Sequence, residues 1–431
     1  MLQGKMRIAW VMGLAAAITV LPAMPAIAAT SYTPLAASDA NSQQRLGYSV
    51  AQSSDGQTTV VGSIYRSEGS VEVPSVAYVY IGVSGSDLLT RTEEAQLVRS
   101  ETFGTSPSDS FGSSVDVSGN GDTIVVGADN YAVGIGAVYV FQRSGPTSWA
   151  QAARLSAPTG ASSGQFGESV AISDDGTKIL AGAPALSTAS QGGAAYYTLE
   201  NGSWVLKTVV AGGSASALGG QSVAISADGT RAAVGAPQYR ASGATSNSGR
   251  VYTYSVSSTG LTPLSTITDP STATTVSSGA NFGGGALSFT ADNNGLLIAA
   301  PFGTTAYGSS VGGMAYYYRY GTAWTRSATF SLLGTTNARL GYSGAISPDG
   351  NRIVLGAPYY TGTTGGKVFM SQKTGTTWGA LAPVGPTGNN SSARVGISAA
   401  FGTNSRFVIG ANLQDDPAGV RSGRAYVIDV S

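Results

Sequence analysis

The chain has 431 residues, of which 60 are Gly and only 11% are charged, and Lys plus Arg equals Asp plus Glu at 23 each, so its charge gives no pull toward nucleic acid or an anionic membrane surface. It contains no Cys and no His, which excludes disulfides, thiolate nucleophiles, Ser-His-Asp triads, haem ligation by His and zinc hydrolysis. So much Gly beside plentiful aromatic and β-branched residues predicts many short strands and tight turns.

At the N-terminus, Lys5 and Arg7 precede an apolar run from Ile8 to Val20, and Ala26-Ile27-Ala28 supplies small residues for cleavage. Residues 1–28 therefore read as a secretory signal peptide, and fold reasoning starts at Ala29. The run is shorter than the roughly 20 apolar residues that span a bilayer. The mature chain is expected to be exported, extracellular or periplasmic, without a transmembrane segment or lipid anchor.

A lone strand-like segment, Ser31 to Ala37, comes next. An inner motif then begins at Leu46, Phe111, Phe166, Gly219, Phe282, Leu340 and Val395, with well-formed copies reading F-G-S-S-V-D-V-S, F-G-E-S-V-A-I-S and L-G-Y-S-G-A-I-S. Each is alternating strand followed by a turn. A second strand ends in a fixed phrase, V-V-G-A to Ala128, A-G-A-P to Pro184, V-G-A-P to Pro237 and L-G-A-P to Pro358 among them. In five copies its Gly falls sixteen residues after the motif start, which predicts a hairpin of fixed register. A third strand of the G-x-V-Y-V-Y type follows, and a fourth often opens on Trp, at Trp149, Trp204, Trp324 and Trp378.

These residues resemble the FG-GAP repeats of the integrin α-subunit head and of many exported bacterial proteins. The resemblance spans essentially the whole mature chain and implies an all-β, seven-bladed β-propeller of four-stranded antiparallel blades over residues 29–431. The last repeat has three strands and Ser31 to Ala37 is an orphan, so the N-terminal strand is expected to complete the last blade and close the ring. Repeats four, five and seven are degenerate: Gly219 replaces the aromatic, extra residues surround Phe282 and Asn294, and Ser405 stands where the turn Gly should be.

Calcium is the cofactor the resemblance implies, since many such turns carry D-x-N-x-D-G. Asp116, Ser118 and Asn120 come closest here, but the next acidic ligand is missing. The other turns read Ser54-Asp55-Gly56, Asp174-Asp175-Gly176, Ala227-Asp228-Gly229 and Pro348-Asp349-Gly350, which is tight-turn chemistry. No metal or cofactor is expected, and no catalytic residue is assigned. Carboxylate-pair or Tyr-Arg chemistry survives in principle.

The resemblance places the strand 2–3 and 4–1 loops on one face, and the 2–3 loops are long and dissimilar. Variable loops on a rigid frame are where binding residues concentrate. Candidates are Tyr65 and Arg66, Tyr131, Tyr239 and Arg240, Phe302 and Tyr307, and Tyr359 and Tyr360; the alternative is that each Tyr caps its own loop. Arg45, Arg339 and Arg394 each stand just before an inner motif, in three repeats that ring closure makes neighbours, and together suit a carboxylate or sulfate. Pairing with Asp415, Asp416 or backbone carbonyls is the competing fate. The expectation is a monomeric recognition or adhesion scaffold binding a glycan or a cell-envelope or extracellular protein; a carbohydrate-active enzyme and a structural envelope protein are the alternatives.

Overall fold

The computed structural model describes residues 31–39, 44–64, 75–82, 90–100, 109–158, 163–186, 191–213, 217–240, 248–268, 280–303, 312–332, 335, 337–360, 365–386, 388, 390–415 and 421–430. The expected signal segment lies outside them, as do Tyr65, Arg66, Tyr307 and Asp416.

The strands form seven antiparallel sheets, one per repeat. Blade 1 runs Leu46–Gln52, Thr58–Ser63, Val76–Gly82 and Arg91–Leu97 from the axis outward; blade 2 runs Phe111–Val117, Thr123–Ala128, Ala137–Gly145 and Ser148–Ser156. Blades 3, 4 and 5 repeat this order from Val170–Ile172, Ser222–Ile225 and Leu287–Phe289. Blade 6 starts at Ser343–Ile346, and its outer strand is broken into Thr377–Trp378 and Ala382–Val384, which contains Pro383. Proline is tolerated there because an outer strand leaves one edge unpaired.

Blade 7 comprises Val395–Phe401, Arg406–Ala411 and Arg424–Asp429, and its fourth strand is Ser31–Leu35. Ser31 pairs with Asp429 and Leu35 with Ala425, so the ring closes through the N-terminal strand as the repeat count requires. The degenerate repeats four, five and seven still build four-stranded blades.

Burial explains the sequence pattern. The second strands Thr58–Ser63 and Thr123–Ala128 are buried along their whole length because neighbouring blades cover both faces. They therefore read as unbroken apolar runs. The outer strand Ser148–Ser156 alternates exposed and half-buried residues because one face meets water. Each core lies between blades: Phe111 packs with Tyr139 and Phe141 of its own blade and with Val60 and Val79 of blade 1. At Gly219, where the aromatic is missing, an added Cβ would stand 2.4 Å from the Gly212 Cα, so close backbone approach displaces the side chain.

Three Asp residues of the turns are hydrogen-bonded within their own loops. Ser173 donates to Asp175 at 2.5 Å and the Thr177 amide donates to the same oxygen at 2.9 Å; Ser226 with Asp228 and Ser347 with Asp349 repeat the bond at 2.8 and 2.6 Å. Burial opposes charge on Asp175, but bonds from Ser173, Thr177 and Lys178 prevail and hold it at about 2. Asp116, in the loop closest to a calcium pattern, accepts instead from the amides of Val117 and Ile172 at 2.9 and 2.8 Å. Among the described residues no three acidic groups gather to hold a metal ion.

Candidate ligand-binding face

The inner strands enclose an axial cavity of about 430 Å³. At the mouth facing the 2–3 loops, each inner strand begins with the same tight turn, in which the residue before the motif accepts a bond from the amide three positions on. The Tyr342 amide reaches the Arg339 carbonyl at 3.0 Å, Ile397 reaches Arg394 at 3.1 Å and Tyr48 reaches Arg45 at 3.1 Å. Arg339 and Arg394 sit at φ 53° and 54°, as do Ser110, Gln165, Leu218 and Asn281 at closely similar values. This left-handed conformation is unfavourable for a side-chain-bearing residue, and the turn imposes it whatever the side chain.

Two of the three candidate arginines meet. The Arg339 guanidinium lies 4.1 Å from the Tyr359 ring centre and 4.6 Å from that of Phe302, and the Arg394 guanidinium lies 5.2 Å from the Tyr359 ring. Cation–π attraction holds such stacks, and no carboxylate among the described residues pairs with either arginine. Arg45 holds the equivalent turn position in blade 1. Asp415 lies 3.8 Å from Arg421. Tyr342 stands edge-on to Tyr359 with ring centres 6.0 Å apart and is 37% exposed. From Arg394 a cleft of about 440 Å³ opens between blades 6 and 7, lined by Tyr359, Tyr360, Ser391, Ser392 and Arg421.

The remaining candidates do not join this cluster. Tyr131, read as a loop aromatic available to a ligand, is only 9% exposed: it packs on Tyr139 and its hydroxyl accepts from Arg154 at 2.6 Å. Tyr239 is covered by the Arg250 guanidinium at 3.7 Å, while the neighbouring Arg240 is exposed. Tyr360 lines the cleft but leans on Phe369 and on the Lys367 ammonium.

Sequence reasoning missed a second group at the mouth. Burial, then the neighbouring Asp129 of blade 2, pushes the Glu168 carboxyl of blade 3 up to about 8. The contact recurs in other chemistry: at blades 4 and 5 the equivalent positions are Pro237 and Gly284, where an added Cβ would meet the proline Cβ at 2.7 Å. Asp129 thus stands where four repeats carry the proline of the G-A-P or A-A-P phrase, and that exchange was the available signal. Both charge groups bear on Tyr342: burial, Tyr359 and Glu168 raise its phenol, and Arg339 and Arg394 lower it, with a net upward shift.

The fold and this face define a seven-bladed β-propeller with a polar, aromatic-lined mouth. The family model for the FG-GAP repeat matches residues 92–141 and 149–198. No curated protein matches the chain. Among solved structures, the chain is similar to the Pseudomonas aeruginosa periplasmic gluconolactonase PpgL, with 16% identity and a TM-score of 0.52 over 78% of this chain and 84% of that one. It is also similar to Kuenenia stuttgartiensis hydrazine synthase, with 11% identity and a TM-score of 0.54 over 88% of this chain and 94% of the other. At such identities the likeness is one of fold.

Proposed function

We propose that this propeller is a recognition scaffold that works outside the cytoplasm and binds an anionic group of a glycan or protein at the mouth between blades 6 and 7. The observation that carries the reading is the stacking of Arg339 and Arg394 on one tyrosine, Tyr359, with no carboxylate partner among the described residues. Guanidinium groups so placed are held in position and free to donate to a carboxylate or sulfate. The leader-like residues 1–28 support export.

Asp129 and Glu168 give a second reading, a glycosidase or lyase, its specific support. A screen of residues 29–431 against immobilised glycans, with calcium and with chelator, tests the proposal. Selective binding of anionic glycans that disappears on replacing Arg339 and Arg394 by Ala supports it; binding indifferent to both substitutions overturns it. Cleavage of a bound glycan, lost in Glu168→Gln, would establish the second reading instead.

A further inference from the structure

We infer that the anion site at Arg339 and Arg394 is one of two neighbouring subsites, and that its ligand is a linear acidic polysaccharide lying along the rim from blade 5 to blade 7. The inference rests on the proposed anion site and adds a second position in the cleft beside it. Along this rim aromatic rings and guanidinium groups alternate. Arg339 lies between Phe302 of blade 5 and Tyr359 of blade 6, at 4.6 and 4.1 Å from the ring centres, and Arg394 of blade 7 meets the same Tyr359 ring at 5.2 Å. The row continues into the cleft of about 440 Å³, which Arg394 and Arg421 both line and which no carboxylate among the described residues lines. Arg421 is more than half exposed and stands 3.8 Å from Asp415, too far for a hydrogen bond, so its donors are open to a ligand.

The cleft meets a ligand through side chains. Asn390 donates to the Leu413 carbonyl at 3.1 Å and accepts from the Ser392 amide at 2.9 Å, which fixes the serine-bearing loop against the Leu413 loop of blade 7. The amides of Tyr360, Ala393, Val395 and Leu413 are bonded within the protein. An acidic peptide that adds its backbone to an open strand edge finds these donors already taken. What the cleft offers instead is the Tyr359 and Tyr360 rings, the exposed Ser391 and Ser392, and two guanidinium groups. Aromatic faces suit the apolar faces of sugar rings, and a guanidinium grips a carboxylate through two parallel bonds. Because Arg394 borders both subsites, carboxylates on nearby units of one chain can engage Arg339 with Arg394 and Arg394 with Arg421. Flat rings with charge at repeated intervals describe a polyuronate.

Calorimetric titration of residues 29–431 with galacturonate, its tetramer and tetraglutamate tests this. Joining units that occupy adjacent subsites makes the second contact intramolecular, so the tetramer is expected to bind about a hundredfold more tightly than the single sugar acid. Arg421→Ala should weaken tetramer binding about tenfold, the worth of one charge-assisted hydrogen bond, and Arg421→Lys should recover part of the loss. Arg421 is exposed, so an unchanged Tm in both variants separates lost recognition from lost fold. If the tetramer binds no more tightly than the monomer, or keeps its full affinity in Arg421→Ala, the inference falls, and loss of galacturonate binding in Arg339→Ala/Arg394→Ala keeps the anion site standing. Tetraglutamate binding as tightly as the tetramer overturns the polysaccharide and makes an acidic peptide the ligand. If none of the three binds the wild-type protein, the inference and the anion site both fall.

Discussion

The Ser398 hydroxyl donates to the carbonyl of Gly47 at 2.9 Å, joining residues 351 positions apart across the seam between the last blade and the first. The same bond fastens five other seams, from Ser49 to Gly112, Ser114 to Gly167, Ser169 to Gly220, Ser222 to Gly283 and Ser343 to Gly396, at 2.5 to 2.8 Å. Between blades 5 and 6 the serine is Ala286, and its backbone amide reaches the Gly341 carbonyl at 3.1 Å. Replacing Ser398 by Ala should cost about 1 kcal/mol, measured by denaturant unfolding, because the Gly47 carbonyl loses a buried donor.

The seams also explain the Gly of the second-strand phrase. A Cβ at Gly410 would stand 1.9 Å from the Gly47 oxygen and 2.3 Å from the Ser398 hydroxyl. Gly410→Ala should therefore destabilise by about 2 kcal/mol or more through overpacking. Blade 5 tolerates Ala299 at the matching position because Ala286 replaces the serine facing it. Adding Ser398→Ala to Gly410→Ala should accordingly cost less than the sum of the two single changes.

Removing Ser31–Leu35 leaves Arg424–Asp429 as an open sheet edge and uncovers part of the cluster that holds Leu35 with Val427. The shortened protein is expected to melt at lower temperature and to self-associate in size-exclusion chromatography, as exposed edges do.

Stability should depend on pH through Glu168. Its carboxyl titrates near 4.5 in ordinary surroundings and at about 8 in the fold, so the folded chain holds a proton that the unfolded chain releases in between. Its stabilisation is present below pH 4.5 and is lost as pH rises toward 8. Glu168→Gln keeps the neutral form, and its Tm should exceed that of the wild type by a margin that grows between pH 5 and 8 and is then constant.

Tyr359→Leu removes the ring between the two guanidinium groups and leaves the fold, because Tyr359 sits at the rim and is only half-buried. Loss of anion binding with a Tm change of about 1 kcal/mol equivalent or less is the expected result.

The blades were legible from sequence because their signal is local: alternation in the inner strand, a buried run in the second and Gly at fixed intervals. Arg339 and Arg394 could be paired in advance because they share one motif position in adjacent repeats. Asp129 and Glu168 could not, since their contact depends on how far each blade is staggered against the next. Tyr131 misled for a related reason. Its loop position suggested exposure, whereas Tyr139 and Arg154, on the two outer strands of the same blade, draw the ring inward.

The pairing of Ser31 with Asp429 has a kinetic consequence. A ribosome delivers the first of these residues nearly a whole chain length before the second, so the seventh blade cannot assemble during synthesis. Contacts of such long sequence separation are slow to form. Until then the first and last blades lack their closing neighbour. A transport route or chaperone that keeps those blades apart until the last strand arrives would set the yield of folded protein, whatever the final stability of the ring.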